Sequence, residues 1–342
     1  MEGGGVEEGR MKLTQGLKKP YTFSNSTRPG EILEFPVDLV YASYRGSIAH
    51  GMYVPPEDPA SIDDIDLIGF AIGDRYHYLG LREWGSRGTK EAKIGHYDCV
   101  WYELTKAVRL LLAGNPNILA TLWVRESERI FVEDVVRPLF DARSLFVGKH
   151  VYASFAGYAS AQLLKMESRD PAELREYLGV TYEMKKRGIH PTDQVLPADL
   201  GDYIDCSKYG DEALRHKYAS FIKKDANLGF LGDKRKKLVV EHGFDCKNAA
   251  HCIRLLKMAQ EFLLTGGMTV YRVEDAQELL DIKNGKWALS DVKTYAEQLF
   301  AAVKDARDRS TLPDGPQRDK IEEILVAAIQ EGLGFACRLT VV

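Results

Sequence analysis

The sequence predicts an α+β chain, in which an N-terminal unit of mixed strands and helices is followed by a run of helices. Three observations predict it. Apolar runs rich in β-branched and aromatic residues recur through residues 31–140. From about Leu145 the apolar residues move to helical spacing, as in residues 151–166, where Phe155, Ala159, Leu163 and Met166 share one face. Near the start, a Gly46-Ser47 bend follows one strand-like run, and Asp64-Ile65-Asp66 opens the next.

Bulk properties narrow the class. A length of 342 residues leaves room for about two domains, here 31–145 and 146–342, with residues 1–30 as a disordered tail. Apolar content of 45% and charged content of 28% fit a globular chain. The net charge of -4 does not advertise a polyanion partner, although a local basic patch is compatible with it. Five scattered cysteines without a CxxC read as reduced thiols in a cytoplasm, not as a disulfide frame or zinc site. No apolar run approaches the roughly 18 residues of a membrane span. The opening MEGGGVEEGR is acidic and Gly-rich, unlike a signal peptide.

In chain order, residues 31–44 form a strand leading into Gly46, which tolerates close approach. Ser47 brings a hydroxyl and an N–H to the start of a short helix, 48–52, suited to phosphate. Pro55, Pro56 and Pro59 make a loop, and 62–72 is the strand carrying the carboxylates. Residues 82–93, polar and Gly-containing, read as a surface loop, and 94–102 as another strand. Residues 103–113 have Leu104, Val108, Leu111 and Leu112 at helical spacing and end at Gly114-Asn115-Pro116. Residues 119–124 and 130–140 complete the unit. Further helices are expected at 171–182, 212–229, 245–264, 290–306 and 318–330, with a loop at 188–201.

Side chains two apart on a strand share a face, so Asp64 and Asp66 can hold one cation. If 94–102 pairs beside them, Asp98 joins as a third ligand or takes the proton from an attacking hydroxyl. Such a carboxylate set beside a Gly-Ser turn suits a nucleoside triphosphate with Mg²⁺ (Mn²⁺ is the alternative). The plainer reading of Asp64 and Asp66 is an Asp-rich strand end. For Asp98 the competitors are Glu103 and a surface role.

With these residues in view, Gly46-Ser47-x-Ala49-x-Gly51 followed by Asp64-x-Asp66 resembles the polymerase-β-type nucleotidyltransferase superfamily. The chain over 31–330 more narrowly resembles its RNA-repair-associated predicted nucleotidyltransferases. The match continues through Asp98 ahead of Tyr102-Glu103-Leu104, then Gly114-Asn115-Pro116-Asn117. It closes with Lys247-x-x-Ala250-His251-x-x-Arg254-Leu255-Leu256 and Leu312-Pro313. Two departures are the segment between Gly51 and Asp64, longer than the shortest members carry, and Ala120-Thr121, where a carboxylate is expected after the Asn-Pro turn. The resemblance implies a mixed sheet backed by helices, then a helical domain that closes the nucleotide cleft. It also implies transfer of a nucleoside monophosphate with Mg²⁺ and release of pyrophosphate.

Lys247, His251 and Arg254 share a helix face that could grip the triphosphate. A solvated basic face is the plainer alternative, His251 could instead be a buried helix-packing residue, and His50 either anchors its loop or contacts nucleotide. Residues 215–257 are locally basic, with Tyr218, Phe221 and Phe230 interleaved, which suits either an RNA or tRNA backbone or ordinary core packing. Competing functions are transfer to a protein or small molecule and a non-catalytic nucleotide- or RNA-binding module. A glycosyltransferase leaves Gly46-Ser47 unexplained, and Leu67-Ile68 fits an Asp-x-Asp phosphatase poorly.

Overall fold

The computed structural model describes residues 17–22, 30–55, 64–167, 170–189, 203–224 and 233–334. It forms two compact units, 1–155 with 258–276 and 305–342, and 156–257 with 277–304.

The first unit is built on a mixed five-stranded sheet. Its strands are β3 (Leu39–Tyr44), β4 (Ile65–Ala71), β5 (Thr89–Ile94), β6 (Tyr97–Glu103) and β7 (Arg129–Val132), in the order β5-β6-β4-β3-β7. β4 and β6 run parallel, and the other pairs are antiparallel. Central strand β4 reads IDLIGFA because both its faces are covered, and Ile65, Leu67, Ile68 and Phe70 are all buried. On one face Tyr41 packs against Phe70 and Phe140 at 4.9 and 4.7 Å. On the other, Phe35 meets Trp101 and Phe131 edge-on at 6.1 and 5.4 Å. Each fully buried large apolar side chain contributes roughly 1.5–3 kcal/mol.

Residues 31–44, expected as one strand, are two: β2 (Ile32–Pro36) and β3. Pro36 has no N–H to continue a ladder, and the chain turns at Val37-Asp38. β2 pairs with β1 (Leu17–Thr22), which lies in the stretch expected as a tail. The expected loop 82–93 ends in β5, whose sequence TKEAKI lacks an apolar alternation because it is a charged edge strand. A two-residue turn with Gly95 at φ +58° joins it to β6.

Helices close this unit. α1 (Gly46–Ala49) and α2 (Arg75–Tyr78) are single turns, and α3 (Leu104–Leu112) follows β6 directly. α4 (Pro116–Leu119) is capped by Asn115 Oδ1, which accepts from the N–H groups of Asn117 and Ile118. The Gly-Asn-Pro-Asn stretch is therefore a helix-to-helix corner. α5 (Arg137–Asp141) follows β7.

In the second unit α7 (Pro171–Lys186) packs with α8 (Asp211–Lys224) and α9 (Asp233–His242) around Leu174, Tyr177, Leu178, Leu214, Phe221 and Val239. Tyr177 meets Phe221 edge-on at 5.8 Å and stacks on Tyr218 at 6.1 Å. Both aromatics of α8 are thus core residues, while Phe230 lies outside the described residues. α6 (Val151–Glu167), α10 (Cys246–Thr265) and α12 (Leu289–Arg309) each contain a boundary between the units. α11 (Ala276–Lys283) and α13 (Arg318–Gly332) complete the chain, α11 and α9 having no counterpart among the expected helices. Among the described residues no helix is long and apolar enough to cross a membrane.

Candidate active site

Asp66 and Asp98 are direct partners in the parallel register of β4 and β6. Paired residues in neighbouring strands project to the same face, so two carboxylates stand side by side. Asp64 stands just before β4, two residues ahead of Asp66, and is exposed. Among the described residues no group of three or more His, Cys, Asp or Glu is assembled to hold a metal ion.

The pair is flanked by cations. Arg45 follows β3; its N–H donates to the Asp66 carbonyl at 3.0 Å, and its Nη2 reaches Asp66 Oδ1 at 3.2 Å. Lys93 is the antiparallel partner of Asp98, with its Nζ 3.5 Å from Oδ1. Four neighbouring strand positions therefore carry the charges Arg45(+), Asp66(−), Asp98(−) and Lys93(+). Two like charges side by side are unfavourable, and the outer cations offset that. Cys99, the buried neighbour of Asp98 on β6, has its thiol pushed up to about 12, mainly by burial and then by the Asp98 carboxylate. It stays protonated and is no nucleophile.

Gly46 is in the left-handed region at φ +63°, and a Cβ there would lie 2.7 Å from Asp66 Oδ2. Only glycine lets the turn close over this carboxylate. Ser47 is half-buried, and its carbonyl accepts from the Met52 N–H at 2.8 Å. The turn is held from a distant segment. His50, buried, donates through Nδ1 to the Val270 carbonyl at 2.8 Å, and the Arg272 N–H returns to the His50 carbonyl at 3.0 Å. Gly51, at φ +72°, lies against the Tyr271 ring, where a Cβ would fall 2.9 Å from its edge. The Arg125 guanidinium lies over the same ring, 3.2 Å from the centroid. His50 is thus the loop anchor that was one of its two expected roles.

Glu103 is not a third acidic ligand. It caps α3, accepting from the N–H groups of Thr105 and Lys106 at 2.8 and 3.0 Å and from the Tyr78 hydroxyl at 2.6 Å. Between Asp98 and Glu103, the register leaves Asp98 beside Asp66.

Lys247, His251 and Arg254 lie on α10 in the second unit. As expected of the opposite face, Cys252, Leu255, Leu256 and Ala259 are buried. Arg254 is also buried, and the His251 imidazole is pushed down to about 4 by burial and by cationic Arg235, Lys165 and Lys247. His251 is therefore neutral near pH 7, and its buried Nε2 has no hydrogen-bond partner among the described residues. Several cations of the basic run 215–257 are already paired with acids. Lys217 pairs with Glu176 and Lys257 with Glu278 at 2.7 Å, while Arg235 pairs with Asp245 at 2.7 Å. Lys236 is buried, 5.8 Å from the Tyr177 ring centre.

A mixed sheet with an acidic pair on two adjacent parallel strands is consistent with a polymerase-β-like fold. The chain belongs to the RNA repair pathway DNA polymerase beta family, whose model matches residues 31–205, just over half of its length. No curated protein and no solved structure matches the chain.

Proposed function

We propose that the protein transfers a nucleoside monophosphate from a nucleoside triphosphate to the hydroxyl of an RNA or tRNA end, releasing pyrophosphate. The observation that carries this reading is the side-by-side Asp66–Asp98 pair, covered at one edge by the Gly46 turn. An all-oxygen donor set of two carboxylates suits Mg²⁺ or Mn²⁺, with Asp64 close in sequence. The ligands lacking for a three-residue site would come from phosphate oxygens and water. The ion supplies charge neutralisation at the phosphates.

The chain's own residues have distinct tasks. Asp64 and Asp66 bind the cation, and Asp98 binds it while facing the acceptor. The Gly46-Ser47 turn presents its hydroxyl and the first N–H groups of α1, which have no partner within the helix, to phosphate. Lys247 and Arg254 bind the triphosphate as cations, and His251 joins them as a neutral hydrogen-bonding group. In the transfer, the acceptor oxygen forms a bond to the α-phosphorus as the bond to the β-phosphate's bridging oxygen breaks. Pyrophosphate leaves, and the hydroxyl proton passes to Asp98.

The test is incubation with each α-labelled nucleoside triphosphate, total RNA and cell lysate. Label in RNA supports this reading. Label confined to protein or small molecules overturns the acceptor, and no label in any fraction overturns the activity.

A further inference from the structure

Beside the acidic pair a groove of about 480 Å³ opens over β5 and β6, lined by Arg45, Glu91, Lys93, Asp98, Val100 and Tyr102. We infer that it is the acceptor subsite and that it takes the terminal nucleotide of a single-stranded RNA end together with the adjoining backbone phosphate. This inference rests on the nucleotidyl-transfer reading above.

Position argues first. Along the charged row the Gly46-Ser47 turn adjoins Arg45 and Asp66, so the triphosphate belongs at that end. In-line displacement requires the attacking oxygen to enter opposite the leaving one. The opposite end of the row is Asp98 and Lys93, and there the groove, which also reaches Arg45, continues over Val100 and Tyr102. Residues 98, 100 and 102 alternate onto one face of β6, and Glu91 and Lys93 onto the same face of β5, opposite Val100 and Asp98. The floor therefore runs from the carboxylate past an aliphatic residue to an aromatic ring.

Chemistry argues second. Lys93 has a side chain 71% exposed, so its ammonium can leave Asp98 for a phosphate with little desolvation. When Asp98 turns to a metal ion or an acceptor proton, Lys93 loses its counter-charge and the groove becomes cationic. Tyr102, half-buried, lines the groove with an aromatic ring, the kind of group on which single-stranded bases stack without sequence readout. The volume lies in the range of roughly 300–1,000 Å³ for small-ligand sites, and suits one nucleotide rather than a duplex.

The experiment measures binding of a 5′-fluorescein single-stranded decaribonucleotide to the full chain by anisotropy, over a salt series with Mg²⁺. Binding of Mg²⁺ with a non-hydrolysable ATP analogue is followed in parallel by calorimetry. Lys93→Gln is expected to weaken RNA binding roughly tenfold and to flatten the log–log salt slope by about 0.7, with Lys93→Arg restoring both. Tyr102→Leu is expected to weaken binding roughly tenfold with the slope unchanged, because stacking releases no counterion. Analogue binding stays within about threefold in Tyr102→Leu, since Tyr102 lies away from the Gly-Ser turn and the acidic pair. The inference is overturned if wild-type protein binds no RNA, or if Lys93→Gln and Tyr102→Leu both leave affinity and slope unchanged. It is equally overturned if a protein acceptor displaces the RNA. Intact analogue binding in those cases leaves the transferase reading standing, whereas its absence from wild type takes that reading down as well.

Discussion

Asp66 and Asp98 sit opposite one another on adjacent parallel strands, each with its own cation within 3.5 Å. Replacing either by Asn removes one of two neighbouring like charges along with a partly exposed ion pair. Such pairs are worth about 0–1 kcal/mol, so the melting temperature should move by only a few degrees. Nucleotide transfer should fall to background. Thermal scans beside a transfer assay check this; a collapse of the fold in both variants would make the pair structural instead.

Gly46→Ala and Gly51→Ala make a matched comparison. Both place a side chain at positive φ, at about 1–2 kcal/mol, which corresponds to a loss of roughly 2–8 °C, and Gly51→Ala also presses on the Tyr271 ring. Only the first also displaces the Asp66 carboxylate, through the 2.7 Å contact. Activity per folded molecule should therefore fall much further in Gly46→Ala. Equal residual activity in the two would show that the turn does not hold Asp66.

His50→Ala should be destabilising by about 1–3 kcal/mol, because the Val270 carbonyl loses its donor inside the protein. Denaturant titration reads this directly, as a lower midpoint with an unchanged slope.

The imidazole of His251 is held down to about 4, below its ordinary 6.5. The unfolded chain then binds the extra proton more readily between those values. The contribution is fully present above pH 6.5 and is lost as pH falls towards 4, with a total on the order of 3 kcal/mol. His251→Gln should flatten the stability–pH curve over that window. An unchanged curve would mean that the ring is not enclosed beside Lys165, Arg235 and Lys247.

Lys247→Ala should weaken nucleoside triphosphate binding roughly tenfold or more, as expected for a lost charge-assisted contact. Calorimetry with the analogue measures it. Unchanged affinity would reduce this face of α10 to a structural role.

The parts of the site readable in the sequence were those with local signatures. Gly46-Ser47, the alternation at Asp64-x-Asp66 and the helical face of Lys247, His251 and Arg254 are each confined to a few neighbouring residues. Asp98 was placed only on the condition that its strand paired beside β4, and the register meets that condition. The clamp on the Gly46–Gly51 turn was not readable: His50 and Val270 are 220 residues apart and share no pattern. Arg45 and Lys93 were missed for a related reason. Each looked like an ordinary polar residue until strand pairing set it beside an acid. β5 was read as a loop because an edge strand needs no apolar face, and residues 31–44 as one strand because a single Pro36 break is easily overlooked in an otherwise β-rich run.

The most direct test of shared cation binding is Mn²⁺ titration followed by electron paramagnetic resonance, with the non-hydrolysable analogue present. Wild type should take up Mn²⁺ at a site that Asp66→Asn and Asp98→Asn each abolish. Undiminished uptake in both variants would contradict the account.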